Sequence, residues 1–218
     1  MINTSGGLTS GDQLSVAATV GAGSHLTLTT QAAERAYRAE DEAAQVRTTL
    51  SVETNACLHW LPQEMILFDH CALNRRLMID LAPDARLLMV EPVIFGRSAM
   101  GETVVTGHFS DRVEIRRHRK PLYMDSFQFS GDIETQLAAT TSANGAKAMT
   151  SLVYAAPDAE AQINPIRETL PQTAGVSLLR DDVLVLRMVA IDGFELRQSL
   201  VPILDRLSKN TLPKSWRL

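Results

Sequence analysis

Hydrophobic and polar residues alternate over much of the first 130 positions. Leucine and threonine alternate over 26–29, and the segment 46–52 keeps the same period of two. Because successive side chains of a strand point to opposite faces, this period predicts β-strands with one buried face. The other strands predicted in this half are the long apolar run 86–95, a segment starting at Val113, and 122–129.

The pattern changes after Gly131, where helix and strand become mixed. A short helix is predicted over 163–170, with Asn164 as its N-cap and Pro165 at its first position. Two apolar runs separated by a polar turn predict a β-hairpin over 176–190.

The C-terminal segment 193–209 has the pattern of an amphipathic helix. The apolar residues that share one face at helical spacing are Leu196, Leu200, Ile203, Leu204 and Leu207. Pro202 lies within the segment, so a kink or a helix boundary is expected there. One apolar stripe needs one surface, and we expect this helix to pack on the β-structure.

Strands at short, regular spacing predict an all-β sandwich, barrel or solenoid, with a few helices chiefly towards the C-terminus. A chain of 218 residues can bury the core of one large domain or two small ones. No internal repeat is evident in the sequence, and there is no low-complexity tail.

Composition narrows the class of protein. The chain is 45% hydrophobic and 21% charged, as in ordinary soluble proteins. Its net charge of −4 gives no support for a nucleic-acid partner. No apolar run is long enough to span a membrane, and the N-terminus lacks the pattern of a signal peptide. Two cysteines make no disulfide framework, so we expect a cytoplasmic protein.

Two cysteines and two histidines form the first candidate site. Cys57 and His59 would share one face of a strand, and His70 and Cys71 follow closely. Such ligands bind zinc or nickel, but this spacing matches no standard structural zinc site. Core cysteines and surface or hydrogen-bonded histidines are the favoured interpretation.

Carboxylates beside apolar residues are the sharper signal. They are Glu64, Glu91, Glu102 and Asp125. A buried carboxylate without a partner costs several kcal/mol, typically about 3–5, so each one pairs, reaches water or serves a function. Salt bridges, for example with Arg97 or Arg112, are one interpretation. The other is a polar cavity whose inward carboxylates attract divalent cations.

Two further motifs have simple structural interpretations. The glycine-rich start SGGLTSGD lacks the Lys-Ser/Thr ending of a phosphate loop, so it predicts a turn in which Asp12 accepts hydrogen bonds. The basic run 116–120 is most simply a solvated hairpin tip with a turn at 118–121. Its alternative role is docking an acidic partner.

Several longer motifs occur together in a fixed order. They are SGGLTSGD, LTTQAAERAYR, LHWLPQEMILFD, GRSAMGE and the closing LPKSW. In this order, and over nearly the whole chain, they resemble the family of the urease accessory protein UreD, called UreH in some bacteria. WLPQE and the Gly-Arg…Gly-Glu turn are the specific motifs.

The resemblance implies a mainly β fold with strands in a β-helix-like or solenoid arrangement and a few helices. It implies a single domain over 1–218, strand-rich over 1–130 and mixed over 131–218. Members of the family are not enzymes. They bind UreF, UreG and the urease apoprotein in a complex that inserts nickel, with GTP hydrolysed by UreG. No tightly bound cofactor is expected, only a transient nickel ion in a water-filled internal tunnel.

The resemblance also implies roles for particular residues. Glu91 and Asp125 occupy acidic positions of the proposed nickel path, and Asp12, Glu64 and Glu102 are weaker candidates. Members usually carry about fifty residues before the NTSGGL motif, so initial strands are expected to be missing here. His59 stands where relatives are often acidic, so Cys57 and His59 are not a family metal motif.

Two alternatives to a nickel conduit stay open. One is a structural scaffold that bridges UreF and urease without touching nickel. The other is a carboxylate-based β-solenoid enzyme acting on carbohydrate, which needs paired carboxyl groups in an open cleft and aromatic residues for stacking. Only 5% of the residues are aromatic, which argues weakly against the enzyme.

Overall fold

The computed structural model describes residues 1–97, 101 and 103–217. The predicted site residue Glu102 lies outside these described residues. The strands are β1 Gln13–Val20, β2 His25–Leu28, β3 Glu34–Ala36, β4 Ala44–Val52, β5 Cys57–Trp60, β6 Met65–Leu67, β7 Ala72–Leu81, β8 Arg86–Phe95, β9 Thr106–Arg117, β10 Lys120–Asp132, β11 Ala148–Ala155, β12 Ala174–Arg180 and β13 Val183–Ala190. The helices are α1 Ile133–Ala138, α2 Ala159–Arg167 and α3 Gly193–Leu207, and a 3₁₀ helix covers Lys214–Arg217.

The strands form two sheets that face each other. The first sheet has the order β1-β4-β7-β9-β10, and the first four strands are parallel. The second sheet has the order β12-β13-β11-β8-β5-β2, with β3 and β6 continuing a parallel row against β8. The chain alternates between the sheets, so successive circuits stack on one another. This arrangement is a β-solenoid of about three turns, and the predicted mainly-β, solenoid-like class is confirmed.

The stacked circuits differ in length. Gln13 pairs with Gln45, 32 residues later, whereas Ala44 pairs with Leu73, 29 residues later. Ala72 pairs with His108 after 36 residues. The repeat is therefore structural and has no fixed sequence period, which is why it cannot be seen in the sequence by eye.

The second sheet continues beyond the solenoid as antiparallel strands. β11 pairs with β8 and β13, and β12 pairs with β13 in the predicted hairpin. The outer face of these strands packs on α2, α3 and the buried ring of Trp216. The prediction that the last helix packs on the β-structure is confirmed, since Leu196, Leu200 and Leu204 are fully buried in this layer.

The space between the two sheets holds two apolar clusters. The upper cluster includes Leu50, Leu77 and Met89, and the lower cluster includes Leu73, Val93 and Phe109. Each cluster takes residues from both sheets, so together they form the interior of the solenoid. Several strands contribute residues to both clusters. The side chains that lie between the two clusters form the candidate site.

The helix start predicted at Pro165 and the boundary considered at Pro202 are both wrong, while a kink at Pro202 stays a prediction. The helix predicted to start at Asn164 starts at Ala159, after Asp158, and Pro165 lies inside it. The last helix also continues through Pro202 to Leu207. A proline removes one backbone hydrogen bond, and the buried apolar faces of α2 and α3 outweigh this loss. No helix among the described residues is long and apolar enough to cross a membrane.

Candidate functional site

A layer of polar side chains separates the two interior clusters. Seven strands share one pattern. Each has a polar residue with an inward-facing apolar residue two positions before it and another two positions after it. One of these apolar residues belongs to the upper cluster and the other to the lower cluster. The seven residues, called here the polar layer, are Thr48, Arg75, Glu91, Asp111, Asp125, Ser151 and Arg187. The interior is therefore apolar above and below this level and polar within it.

Glu91 is the centre of the polar layer. It lies on β8, only 6% exposed, with Met89 and Val93 of the two clusters on either side. The indole N–H of Trp60 donates to its Oε1 at 2.5 Å, and Arg75 Nη1 lies 2.6 Å from its Oε2. The carboxylate that is hardest to explain in the sequence is thus buried and paired.

Arg75 pairs with one carboxylate of each sheet. Besides Glu91, it contacts Asp111 through Nε at 2.9 Å and Nη2 at 2.7 Å. Asp111 stands opposite Arg75 in the β7–β9 register and is 2% exposed. Such a bidentate pair fixes the planes of both groups. The three ionisable groups carry a net charge of −1 when both acids are ionised.

Burial shifts the protonation of this cluster. It raises the pKa of Glu91 above its ordinary value, and the Arg75 charge and the Trp60 hydrogen bond oppose the shift while Asp111 adds to it. Burial by itself would lower the pKa of Arg75, but Asp111 and Glu91 outweigh it and the pKa rises. Arg75 therefore stays charged, and Glu91 is the acid that binds a proton more readily than usual.

Glu91 lies at the wall of two cavities. The first has a volume of about 160 Å³, and its lining includes Arg75, Trp60, Thr48 and Asn3. The second has a volume of about 320 Å³, and Glu91 is the one described residue that lines both. The lining of the second cavity also includes Phe127, Met149, Ser151 and Arg187. Glu91 of the polar layer thus borders both cavities.

Asp125 stands beside the second cavity. Its side chain is 10% exposed and forms an ion pair with Arg187, whose own side chain is 66% exposed. The Tyr123 hydroxyl donates to Asp125 at 3.0 Å and the Ser151 hydroxyl at 3.4 Å. Burial and the Asp125 charge raise the pKa of Tyr123 to about 12, so the phenol keeps its proton. The structure therefore brings Glu91 and Asp125 into one polar layer.

The weaker candidates have other partners. Glu64 accepts from Arg197 of α3 at 2.7 Å, which ties the helix to the β-structure. Asp12 accepts from the backbone N–H of Thr9 at 2.9 Å, as the predicted turn requires. Glu64, Glu91 and Asp125 pair with arginines of distant segments, because the solenoid places these segments side by side.

Sequence reasoning missed Arg75, Asp111 and Trp60. The signal for two of them is present in the strand pattern: Arg75 stands between Leu73 and Leu77, and Asp111 stands between Phe109 and Val113. A charged residue at an inward position of a period-two strand marks a buried charge. Trp60 carries no comparable signal, since its bond to Glu91 depends on strand register.

A second group of polar residues lies on the outer face of the second sheet. His25, Cys57 and His59 have one ligand atom each, all within 4.8 Å of one another. They line a cavity of about 250 Å³ together with Arg86, Tyr154 and Lys209. Burial, then the nearby His25, lowers the pKa of His59 to about 4, and burial raises the pKa of Cys57.

The other half of the predicted metal window lies elsewhere, so the four-residue site is corrected. Cys71 is buried in the lower cluster, where burial raises its pKa to about 12. His70 is partly exposed and contacts Asp69 at 3.4 Å. His70 has a positive φ of 60° and lies in the turn before β7. The residue that joins Cys57 and His59 is instead His25, which the sequence did not single out.

Comparison with known proteins gives a consistent result. The model of the family described as UreD urease accessory protein matches residues 1–217. A urease accessory protein UreD of Roseobacter denitrificans is 49% identical over 219 residues, covering the whole chain and 80% of the relative. The Ruegeria pomeroyi protein of the same name is 50% identical and covered to 85%. That of Sinorhizobium medicae is 44% identical and covered to 81%. This chain therefore belongs to the family of the urease accessory protein UreD.

Proposed function

We propose that this chain acts in urease maturation as a non-catalytic assembly partner of UreF, UreG and the urease apoprotein, and that nickel passes through its polar layer. The names of the relatives support the role in maturation. The observation that carries the nickel path is the position of Glu91, which lines both cavities. Asp125 flanks the second cavity through Ser151 and Arg187.

The composition of the polar layer suits passage better than storage. At 4 Å and an effective dielectric of about 20, a divalent ion gains roughly 8 kcal/mol from each carboxylate. Two carboxylates alone would therefore hold it by roughly 16 kcal/mol before desolvation. The positive charge of Arg75, which pairs with both Glu91 and Asp111, repels the ion by about as much as one carboxylate attracts it. The remaining attraction concentrates the ion and still releases it.

A transient site also needs water. The two cavities, of about 160 and 320 Å³, are large enough for several water molecules, and polar atoms reach both. An ion that keeps part of its hydration shell loses less solvation energy than an ion bound directly by carboxylates. We therefore expect successive weak contacts at Glu91 and Asp125. A closed cage of ligands is not part of this proposal.

A second candidate function is a scaffold that never touches nickel. It is favoured by one observation: Arg75 satisfies both Glu91 and Asp111, which is what a purely structural ion cluster does. A carbohydrate-cleaving enzyme is less well supported. Glu91 and Asp111 are 6% and 2% exposed and share one arginine, so they do not face an open cleft.

The test is a double variant, Glu91→Ala with Asp125→Ala, made in cells that depend on this chain for urease activation. With limiting nickel, we expect a several-fold loss of urease activity and of nickel in purified urease, while UreF still co-purifies. The matched control is Glu160→Ala, an exposed carboxylate on α2. Normal nickel loading by the double variant would contradict the nickel path. If the unchanged chain does not co-purify with UreF or urease, the assembly role is contradicted.

A further inference from the structure

We propose that His25, Cys57 and His59 bind a divalent transition-metal ion of the Co²⁺, Ni²⁺ and Zn²⁺ class at the outer face of the second sheet. This site is separate from the polar layer. It does not depend on the nickel path, because it rests only on the three side chains and the strands that hold them.

Strand geometry places the three side chains on one face. Leu58 and Trp60 point into the upper cluster, so Cys57 and His59 of the same strand point outwards. His25 stands directly opposite Cys57 in the parallel β2–β5 register. The donors are thus held by the backbone of two hydrogen-bonded strands, which is a more rigid support than a loop.

The donor distances fit a metal ion. His25 Nε2 and His59 Nδ1 are 3.3 Å apart. Two nitrogens bound to one tetrahedral ion lie about 3.3 Å apart, and a nitrogen and a sulfur about 3.6 Å apart. All three ligand atoms lie within 4.8 Å of one another, so binding requires shifts of about an ångström at most.

A histidine–histidine hydrogen bond is the competing explanation of the same contact. At 3.3 Å it would be slightly longer than typical hydrogen bonds of about 2.7–3.2 Å. The rings meet edge to face at 75°, with their centres 4.4 Å apart. A hydrogen bond between the two rings also does not explain why the Cys57 sulfur lies close to both of them.

The cavity beside the site supplies the fourth position. Its volume of about 250 Å³ leaves room for water or a small anion, and Arg86 and Lys209 line it. Only the thiolate form of Cys57 binds metal, so binding of an ion should release the thiol proton. Three protein ligands leave one position of a tetrahedral ion open to water or an anion, whereas closed structural sites have four protein ligands.

The donor set also predicts selectivity. Two imidazoles and a thiolate prefer borderline ions such as Zn²⁺, Ni²⁺ and Co²⁺, and do not suit Mg²⁺ or Ca²⁺. We therefore expect ions to stay longer here than at carboxylates that line a wet cavity.

The first experiment is titration of the full chain with Co²⁺, followed by absorbance. Binding should produce a thiolate-to-cobalt charge-transfer band and tetrahedral d–d bands at one ion per chain, and both should disappear when Zn²⁺ is added. Cys57→Ser should remove the charge-transfer band. His25→Gln and His59→Gln should each weaken Co²⁺ and Ni²⁺ binding at least about tenfold, the loss seen when ligands or their supports are altered.

Control variants separate this site from the rest of the chain. His70→Gln, a histidine next to the other cysteine, should bind Co²⁺ like the unchanged protein. Glu91→Gln should also bind normally, even if it impairs nickel loading of urease, so failure of one proposal is distinct from failure of the other. A Co²⁺ spectrum without sulfur ligation, or equal affinity in the three site variants, would overturn the proposal.

A second measurement guards against variants that fold poorly. Maleimide labelling of Cys57 in the unchanged chain should slow when Zn²⁺ is present. In His25→Gln the thiol is still there, but Zn²⁺ should no longer protect it. Labelling that Zn²⁺ slows equally in both proteins would show that His25 is not a ligand.

Discussion

The Arg75 guanidinium lies 2.6 Å from the Glu91 carboxylate, and the two side chains are only 9% and 5% exposed. Arg75 belongs to the first sheet and Glu91 to the second, so this ion pair crosses the interior of the solenoid. Each charge depends on the other for its stability there, because both side chains are almost fully buried. The energetics of the interior can therefore be tested through this pair.

Removal of the arginine should destabilise the protein strongly. In Arg75→Ala, Glu91 and Asp111 lose their shared partner while still buried, so we expect a loss of about 3–5 kcal/mol in the free energy of unfolding. The measurement is urea denaturation. Arg76→Ala is the matched control, because Arg76 is the next residue and its side chain is 52% exposed. If both variants lose the same free energy of unfolding, the buried pair of Arg75 and Glu91 contributes no more to stability than the exposed Arg76 does.

Many of the strands and the outer helix follow from sequence patterns, but strands β1 and β11 and the partners inside the polar layer do not. Period two places Glu91 on the inward row with Leu87 and Phe95. Its partner Arg75 could not be chosen from sequence, because the choice depends on how the circuits stack. His25 meets Cys57 for the same reason, through a register that joins residues 32 apart. The solenoid class itself came from the family resemblance, since alternation alone also suits a sandwich or a barrel.

The pH dependence of stability should report the protonation of Glu91. Burial raises its folded pKa above the ordinary 4.5, so the folded state binds a proton more readily than the unfolded state. This contribution is fully present below about pH 4.5 and is lost as the pH rises through the folded pKa. The stability of the unchanged protein relative to Glu91→Gln should therefore fall as the pH rises from 4 to 7, by about 1.4 kcal/mol per unit of pKa shift. Denaturation at several pH values tests this, and a difference that rises with pH would contradict it.

The contact of Arg197 with the C-terminal segment should hold that segment on the β-structure. Arg197 donates to Glu64 Oε1 at 2.7 Å and to the Trp216 carbonyl at 2.9 Å, and it lies 5.1 Å from the centre of the Trp216 ring. Arg197→Ala should cost about 2 kcal/mol or more, since it also leaves Glu64 buried without its partner. Limited proteolysis should then cleave near the C-terminus, and Trp216 fluorescence should shift to longer wavelength. Arg206→Ala, an exposed arginine on the same helix, should change neither.

The glycine-rich start should be sensitive at one glycine because of a close approach by Tyr37. Gly7 has a φ of +152°, and a Cβ there would lie 2.4 Å from Tyr37 Cε2 and 3.0 Å from the Arg35 carbonyl. Tyr37 packs edge to face on Phe68 at 4.8 Å, so its ring cannot move without disturbing a second contact. Gly7→Ala should therefore cost about 1–3 kcal/mol of stability by overpacking and backbone strain. Gly21→Ala is the control, because a Cβ at Gly21 meets nothing within 4 Å. Thermal unfolding of both variants tests the contact, and a tolerated Gly7→Ala would show that the SGGL motif does not depend on Tyr37.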